Sequence, residues 1–242
     1  EALPAVLFGL AARGYFPDHP ADARWLSADD NEFLQTHAAA QLRGPADNDW
    51  RVLREPLVWM TAIVWFCLLS GSYGIIFWLP QIVKSLTGHS PLAIGWINAL
   101  PWLGAAVGMY VNAAHSDRSR ERIWRVALPA LFAALATGAA WLMGAGAGGL
   151  LALMLMGVGL GAAQGAFWSV PTLSLTRSTL AVAAVMINLL GSAGGLVMPH
   201  LIGYGMERVG GAGIAAALIA GALALAGVLL ILPIRAMQAH RP

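Results

Sequence analysis

The chain has 242 residues, of which 58% are hydrophobic and only 11% charged, with a formal net charge of +2 at pH 7. A water-soluble domain carries about 25% charged residues, so this composition excludes an ordinary soluble globular protein. The slight positive excess reads as loop arginines meeting an anionic membrane surface rather than as a nucleic-acid footprint, and the single cysteine, Cys67, excludes a disulfide framework within the chain.

Residues 3–12 are apolar but too few to cross a bilayer, which takes about 20 residues. They read, with residues 1 and 2, as the end of a truncated transmembrane helix. The chain opens on Glu1 rather than Met and has no basic leader region, so a longer protein is expected. Residues 13–56 differ sharply: they hold Asp18, Asp22, Asp29, Asp30, Asp47 and Asp49 and read as a cytoplasmic linker. Ser27 ahead of Asp29 and Asp30 predicts an N-cap with acids in the first turn. A short amphipathic helix is expected from about Ser27 to Leu42, stopped by Gly44 and Pro45.

A six-helix transmembrane bundle is expected over 57–237, with a cytoplasmic tail at 238–242. Its apolar runs are Leu57–Val83, Leu92–Ala114, Val126–Met143, Leu150–Leu173, Leu180–Met206 and Ile214–Ile234. Each approaches the length of the hydrocarbon core, and a soluble helix is seldom apolar all round for so long. The arginines and lysines set the orientation. Arg13, Arg24, Arg43, Arg51, Arg54, Arg118, Arg120, Arg122, Arg125, Arg177, Arg235 and Arg241 fall on one side, Lys84 and Arg208 on the other. That asymmetry predicts a multi-pass protein with both ends of the bundle in the cytoplasm, and the short loops favour a bacterial setting, so the expected location is the cell inner (plasma) membrane.

No Asp, Glu, Lys or Arg lies clearly inside a span. Intramembrane charges mark proton relays and ion paths, so a proton-coupling acid, if there is one, is expected in another part of the protein. The neutral polar set in the spans is Tyr73, Trp78, Gln81, Asn98, Gln164, Trp168, Ser169, Thr172, Asn188 and Ser192. Such groups need partners in lipid. They either bond across helices as packing contacts or face a water-filled cavity and bind substrate; for Asn98 and Gln164 both readings stand. Pro80, Pro101, Pro171 and Pro199 predict breaks or kinks. Gly104 with Gly108, Gly161 with Gly165 and Gly191 with Gly195 have the spacing of close helix contacts. Gly157-Val-Gly159-Leu-Gly161 lacks the strand–turn–helix context of a dinucleotide loop. The six histidines show no metal-ligand spacing on one helix face, and no nucleophile elbow or HExxH motif is present. No cofactor, metal or enzymatic centre is therefore expected.

The loop Ser116-Asp117-Arg118-Ser119-Arg120-Glu121-Arg122, after Gly108 in the preceding helix, resembles the loop signature of the major facilitator superfamily. Three further stretches are similar to its anion:cation symporter branch. They are the start of the linker, Asp18 to Ser27, then Tyr73-Gly-Ile-Ile-Phe-Trp-Leu-Pro-Gln-Ile-Val-Lys84, and Ala183-Ala-Val-Met-Ile-Asn188-Leu-Leu-Gly-Ser-Ala-Gly-Gly195 with Pro199 and Gly203. The resemblance implies an all-α membrane protein, the C-terminal half of a twelve-helix fold whose N-terminal six helices lie outside this sequence. It implies secondary active transport of organic anions such as sugar acids or aromatic carboxylates, proton-coupled, by alternating access between two halves. Asp117, Arg118 and Arg122 would belong to a gating loop. Trp168 and Asn188 would face the substrate cavity, with Tyr73, Gln81 and Ser169 beside them. Asn112-Ala-Ala114 and Leu189-Leu190 depart from the branch pattern. Three other readings compete: a non-transporting membrane scaffold, a six-helix half acting only as a dimer, and a membrane-embedded enzyme, against which the lack of ionisable groups in the spans counts.

Overall fold

The computed structural model describes residues 2–15, 25–33, 50–87, 91–119, 122–144, 146–175, 177–209, 211 and 213–239, in two compact units, Glu1–Asn48 and Asp49–Pro242.

The first unit contains helix α1, Ala2–Tyr15, and a helical turn over 28–33. Fourteen residues at about 1.5 Å each fall short of a bilayer. Tyr15 stacks on Trp25 with ring centroids 4.9 Å apart. Ser27 Oγ accepts the Asp30 N–H at 3.2 Å and donates to the Asp30 carboxylate at 2.6 Å. This is the N-cap that Ser27 predicts: a short hydroxyl satisfies an amide the helix start leaves without a partner. The expected continuation of that helix to Leu42, and its stop at Gly44 and Pro45, lie outside the described residues.

The second unit begins with a 3-10 turn, Trp50–Arg54. There follow α2 (Pro56–Thr87), α3 (Pro91–Ser119), α4 (Trp124–Met143), α5 (Ala147–Phe167), the short α6 (Ser169–Ser174), α7 (Arg177–Val209) and α8 (Gly213–Ala239). Among the described residues, six spans are long and apolar enough to cross a membrane, α5 and α6 together making one: Pro56–Pro80, Ile94–Ser116, Trp124–Met143, Ala147–Thr172, Thr179–Val209 and Gly213–Ile231. The expected loop from His115 is shorter than the sequence suggests, because α3 runs on to Ser119. Nothing between Ala114 and Ser119 breaks a helix, and His115 Nδ1 sits 3.0 Å from the Val111 carbonyl within the same helix.

Helix α3 packs on α5, α5 on α4, α4 on α8, α8 on α2, and α2 on α7, with a lighter contact between α2 and α5. Small residues make these approaches close. Ala127, Ala130 and Ala133 of α4 are fully buried. Gly104 and Gly108 of α3 face Met154 and Val158 of α5, Gly157 and Gly161 of α5 face Pro101 and Ala105 of α3, and a Cβ on any of the four would collide with backbone of the facing helix. Gly159, between the last two, faces Pro129 and Ala133 of α4 instead. The glycine run thus serves two helix interfaces at once. Gly165, one turn beyond Gly161, faces α3 as well, where a Cβ would meet the Met109 side chain at 2.6 Å.

Candidate functional site

Three spans bring Trp65, Phe167, Trp168 and Asn188 together. Trp65 lies nine residues after Pro56 in its span (65 − 56), and Asn188 nine after Thr179 (188 − 179). At about 1.5 Å per residue, each is about 14 Å along its helix from the start of its span. The indole Nε1 of Trp65 donates to Asn188 Oδ1 at 3.4 Å. The same indole stacks on Phe167 with centroids 4.5 Å apart and meets Trp168 edge-on at 5.6 Å. Trp65 and Phe167 are buried, Trp168 half-buried and Asn188 exposed. One turn beyond Asn188 on α7, Ser192 is exposed as well.

The break between α5 and α6 places Trp168. Pro171 has no N–H to give the carbonyl of Phe167, four residues earlier, and its ring crowds that carbonyl. The helix stops at Phe167, turns at Trp168 and resumes at Ser169. Of the four prolines expected to interrupt helices, Pro171 does so, whereas Pro80, Pro101 and Pro199 lie inside continuous helices.

Tyr73, two turns beyond Trp65 on α2, is half-buried; its ring lies 6.4 Å from that of Phe77 and backs onto Gly195 of α7. Ser169 is half-buried beside Trp168, its hydroxyl donating to the Ala166 carbonyl at 2.6 Å. The side chains of Gln81, Asp117 and Arg118 lie outside the described residues. Arg122 is described, and its guanidinium donates to the buried Ser116 hydroxyl at 2.9 Å. This ties the loop after α3 to that helix.

Other polar residues hold the bundle together. Gln164 Nε2 donates to Ser72 Oγ at 2.7 Å, joining α5 to α2. Asn112 gives one N–H to the Arg125 carbonyl at 2.7 Å and one to the Ala162 carbonyl at 2.8 Å. The amide that departs from the branch pattern is therefore a buried three-helix tie. The Asn98 Oδ1 is buried and has no partner among the described residues. A crevice of about 510 Å³ lies elsewhere, between α3, α4 and α5, lined by Asn112, Arg125, Leu128, Phe132 and Val158 among others; it includes none of the cluster at Trp65. No group of three or more His, Cys, Asp or Glu able to hold a metal occurs among the described residues.

Sequence reasoning singled out Trp168 and Asn188, and each of these touches Trp65. It did not single out Trp65 or Phe167. Each sits in an apolar run with no local mark; the signal was only that Trp65 brings a polar N–H into a span, which a buried indole must satisfy.

Six spans of membrane length, with aromatic and neutral polar groups meeting between α2, α5 and α7, make this an all-helical membrane bundle. The comparisons agree. The model of the Major Facilitator Superfamily matches residues 1–199, and the chain belongs to that family. It is 36% identical over 217 residues, 87% of this chain and 49% of the relative, to a protein of Agrobacterium vitis named "Putative tartrate transporter". It is 30% identical to the "Putative metabolite transport protein NicT" of Pseudomonas putida, over 96% of this chain and 54% of that protein. It is likewise 30% identical to the "Inner membrane transport protein RhmT" of Escherichia coli, over 97% of this chain and 55% of that protein. The chain spans about half the length of these relatives.

Proposed function

We propose that this chain is the C-terminal half of a secondary active transporter that imports small organic anions of the tartrate and sugar-acid type. It works with a second six-helix half by alternating access. The single observation that carries this reading is the meeting of Trp168 and Asn188 on Trp65, with Asn188 and Ser192 exposed on α7. A scaffold would turn its polar span residues inward, as Gln164 and Asn112 do. Asn188 instead keeps an exposed amide where lipid alone would make it costly. The names of the relatives from Agrobacterium vitis and Pseudomonas putida support a carboxylate or related metabolite as cargo.

Asn188 and Ser192 offer hydrogen bonds to substrate oxygens, with Trp168, Tyr73, Ser169 and Gln81 around them. The cation that neutralises the carboxylate and the acid that couples a proton are supplied by the other half, because the spans here carry charges only near their ends, at Arg125, Glu207 and Arg208. Arg122 on Ser116 braces the last turn of α3, where Asp117 and Arg118 would gate the cytoplasmic side. The bias of twelve basic residues against two orients both ends of the bundle toward the cytoplasm of a cell inner membrane.

The test is uptake of labelled tartrate by the full-length protein in liposomes with an inward proton gradient. Accumulation that collapses with a protonophore is expected. Accumulation that ignores the protonophore would overturn the proton coupling, and no uptake of tartrate, sugar acids or aromatic carboxylates would overturn the transport reading itself.

A further inference from the structure

The hydrogen bond between Trp65 and Asn188 fixes which way an exposed amide faces. An indole carries one N–H and no acceptor, so the amide atom that meets it must be the oxygen, and Asn188 Oδ1 stands there at 3.4 Å. The other arm of the amide, Nδ2 with its two N–H donors, is then what α7 presents on its exposed face.

The indole has little freedom to release that oxygen. It is 9% exposed. Phe167 covers one face at 4.5 Å and Trp168 meets it edge-on. On α7, Gly191 lies so close that any Cβ there would collide with the Cδ1 of the ring. Three spans therefore hold the ring, and the ring holds the amide.

We infer that Trp65 is a positioning residue that locks Asn188 donors-outward, so that the site reads an acceptor oxygen such as a carboxylate and rejects a group that offers only donors. This rests on the proposed role of Asn188 as a substrate contact. A free amide can turn either arm to its ligand; a locked one discriminates, and hydrogen bonds to an ionised oxygen are roughly twice as strong as neutral ones.

The experiment is a double-mutant cycle on tartrate affinity in the full-length protein, purified in detergent and checked for monodispersity. Trp65→Phe keeps an aromatic ring and removes the N–H. It is expected to weaken tartrate about threefold to tenfold, the range of one hydrogen bond. Because Trp65 acts through Asn188, the double variant Trp65→Phe/Asn188→Ala is expected to bind no more weakly than Asn188→Ala alone, whereas a merely structural loss would add to it. Asn188→Asp, of the same shape but without donors, is expected to bind tartrate more weakly than Asn188→Ala. If Asn188→Ala weakens binding while Trp65→Phe does not, or if the two losses add, the positioning role is overturned and the contact stands. Unchanged affinity in Asn188→Ala, or no tartrate binding by the unmodified protein, overturns the contact and the positioning role together.

Discussion

Asn112 and Asn188 are the same side chain in two opposite settings. Asn112 is buried, and both its N–H groups end on carbonyls of other elements. Asn188 is exposed and, among the described residues, anchored through its oxygen. Replacing Asn112 by Ala removes two donors at once. Interhelical hydrogen bonds in membranes average about 0.6 kcal/mol and reach about 1.7, so a loss of roughly 1–3 kcal/mol is expected, read as a lower unfolding temperature in detergent. Substrate affinity should change little, since Asn112 lies outside the Trp65 cluster. Both asparagines were visible in the sequence as amides in apolar runs, but their settings were not. Which face of a helix an amide occupies depends on the partner helix, and these helices are apolar almost all round, so periodicity gives no inward face to read. The same limit hid Trp65, whose burial in the bundle shows only once its neighbours are packed on it.

Among the elements, the pairing of α3 with α5 depends on glycine and the shape of α5–α6 on proline. Gly108→Leu would drive a side chain into the Val158 carbonyl across the interface. Overpacking of this kind typically costs 1–3 kcal/mol, and more is expected where, as here, the obstacle is backbone. The check is loss of folded protein on size-exclusion chromatography, with Gly138→Leu as a control, because a Cβ at Gly138 meets nothing within 4 Å. Pro171→Ala returns an N–H to the Phe167 carbonyl and is expected to let α5 continue through Trp168. Stability should rise slightly while tartrate affinity falls several-fold as Trp168 turns away from Trp65, measured by thermal unfolding and binding on the same sample. The six spans were legible in the sequence because length and lack of charge define them. The position of the break was half legible: Pro171 announced one, but Pro80, Pro101 and Pro199 announced breaks equally and sit in continuous helices. A proline removes one hydrogen bond wherever it lies, and packing by neighbouring helices decides whether the helix tolerates it.

For the whole molecule, the six spans leave α3 and α7 at the two ends of the packing order, each resting mainly on one neighbour. Their exposed faces carry Asn188, Ser192 and Tyr110. The proposed second half would cover part of this surface and complete the cavity. Its presence predicts a native protein of about twice the 25.4 kDa of this chain, checked by intact mass after extraction. A native mass of 25.4 kDa would leave transport only to a dimer or a separate partner. Membership of the family could be seen from the sequence through Asp117, Arg118 and the stretches around Tyr73 and Asn188. The substrate could not, because the charged groups that would select it are absent from these spans.

The most direct test asks whether Asn188 faces water and substrate or lipid. Asn188→Cys is made in the full-length protein with its other cysteines, including the buried Cys67, replaced by serine, and is treated with a charged thiol reagent. The account predicts rapid modification that tartrate slows in proportion to its occupancy. A cysteine at 188 that stays unmodified with and without tartrate, in protein shown to be folded, would place this face against lipid and contradict the site.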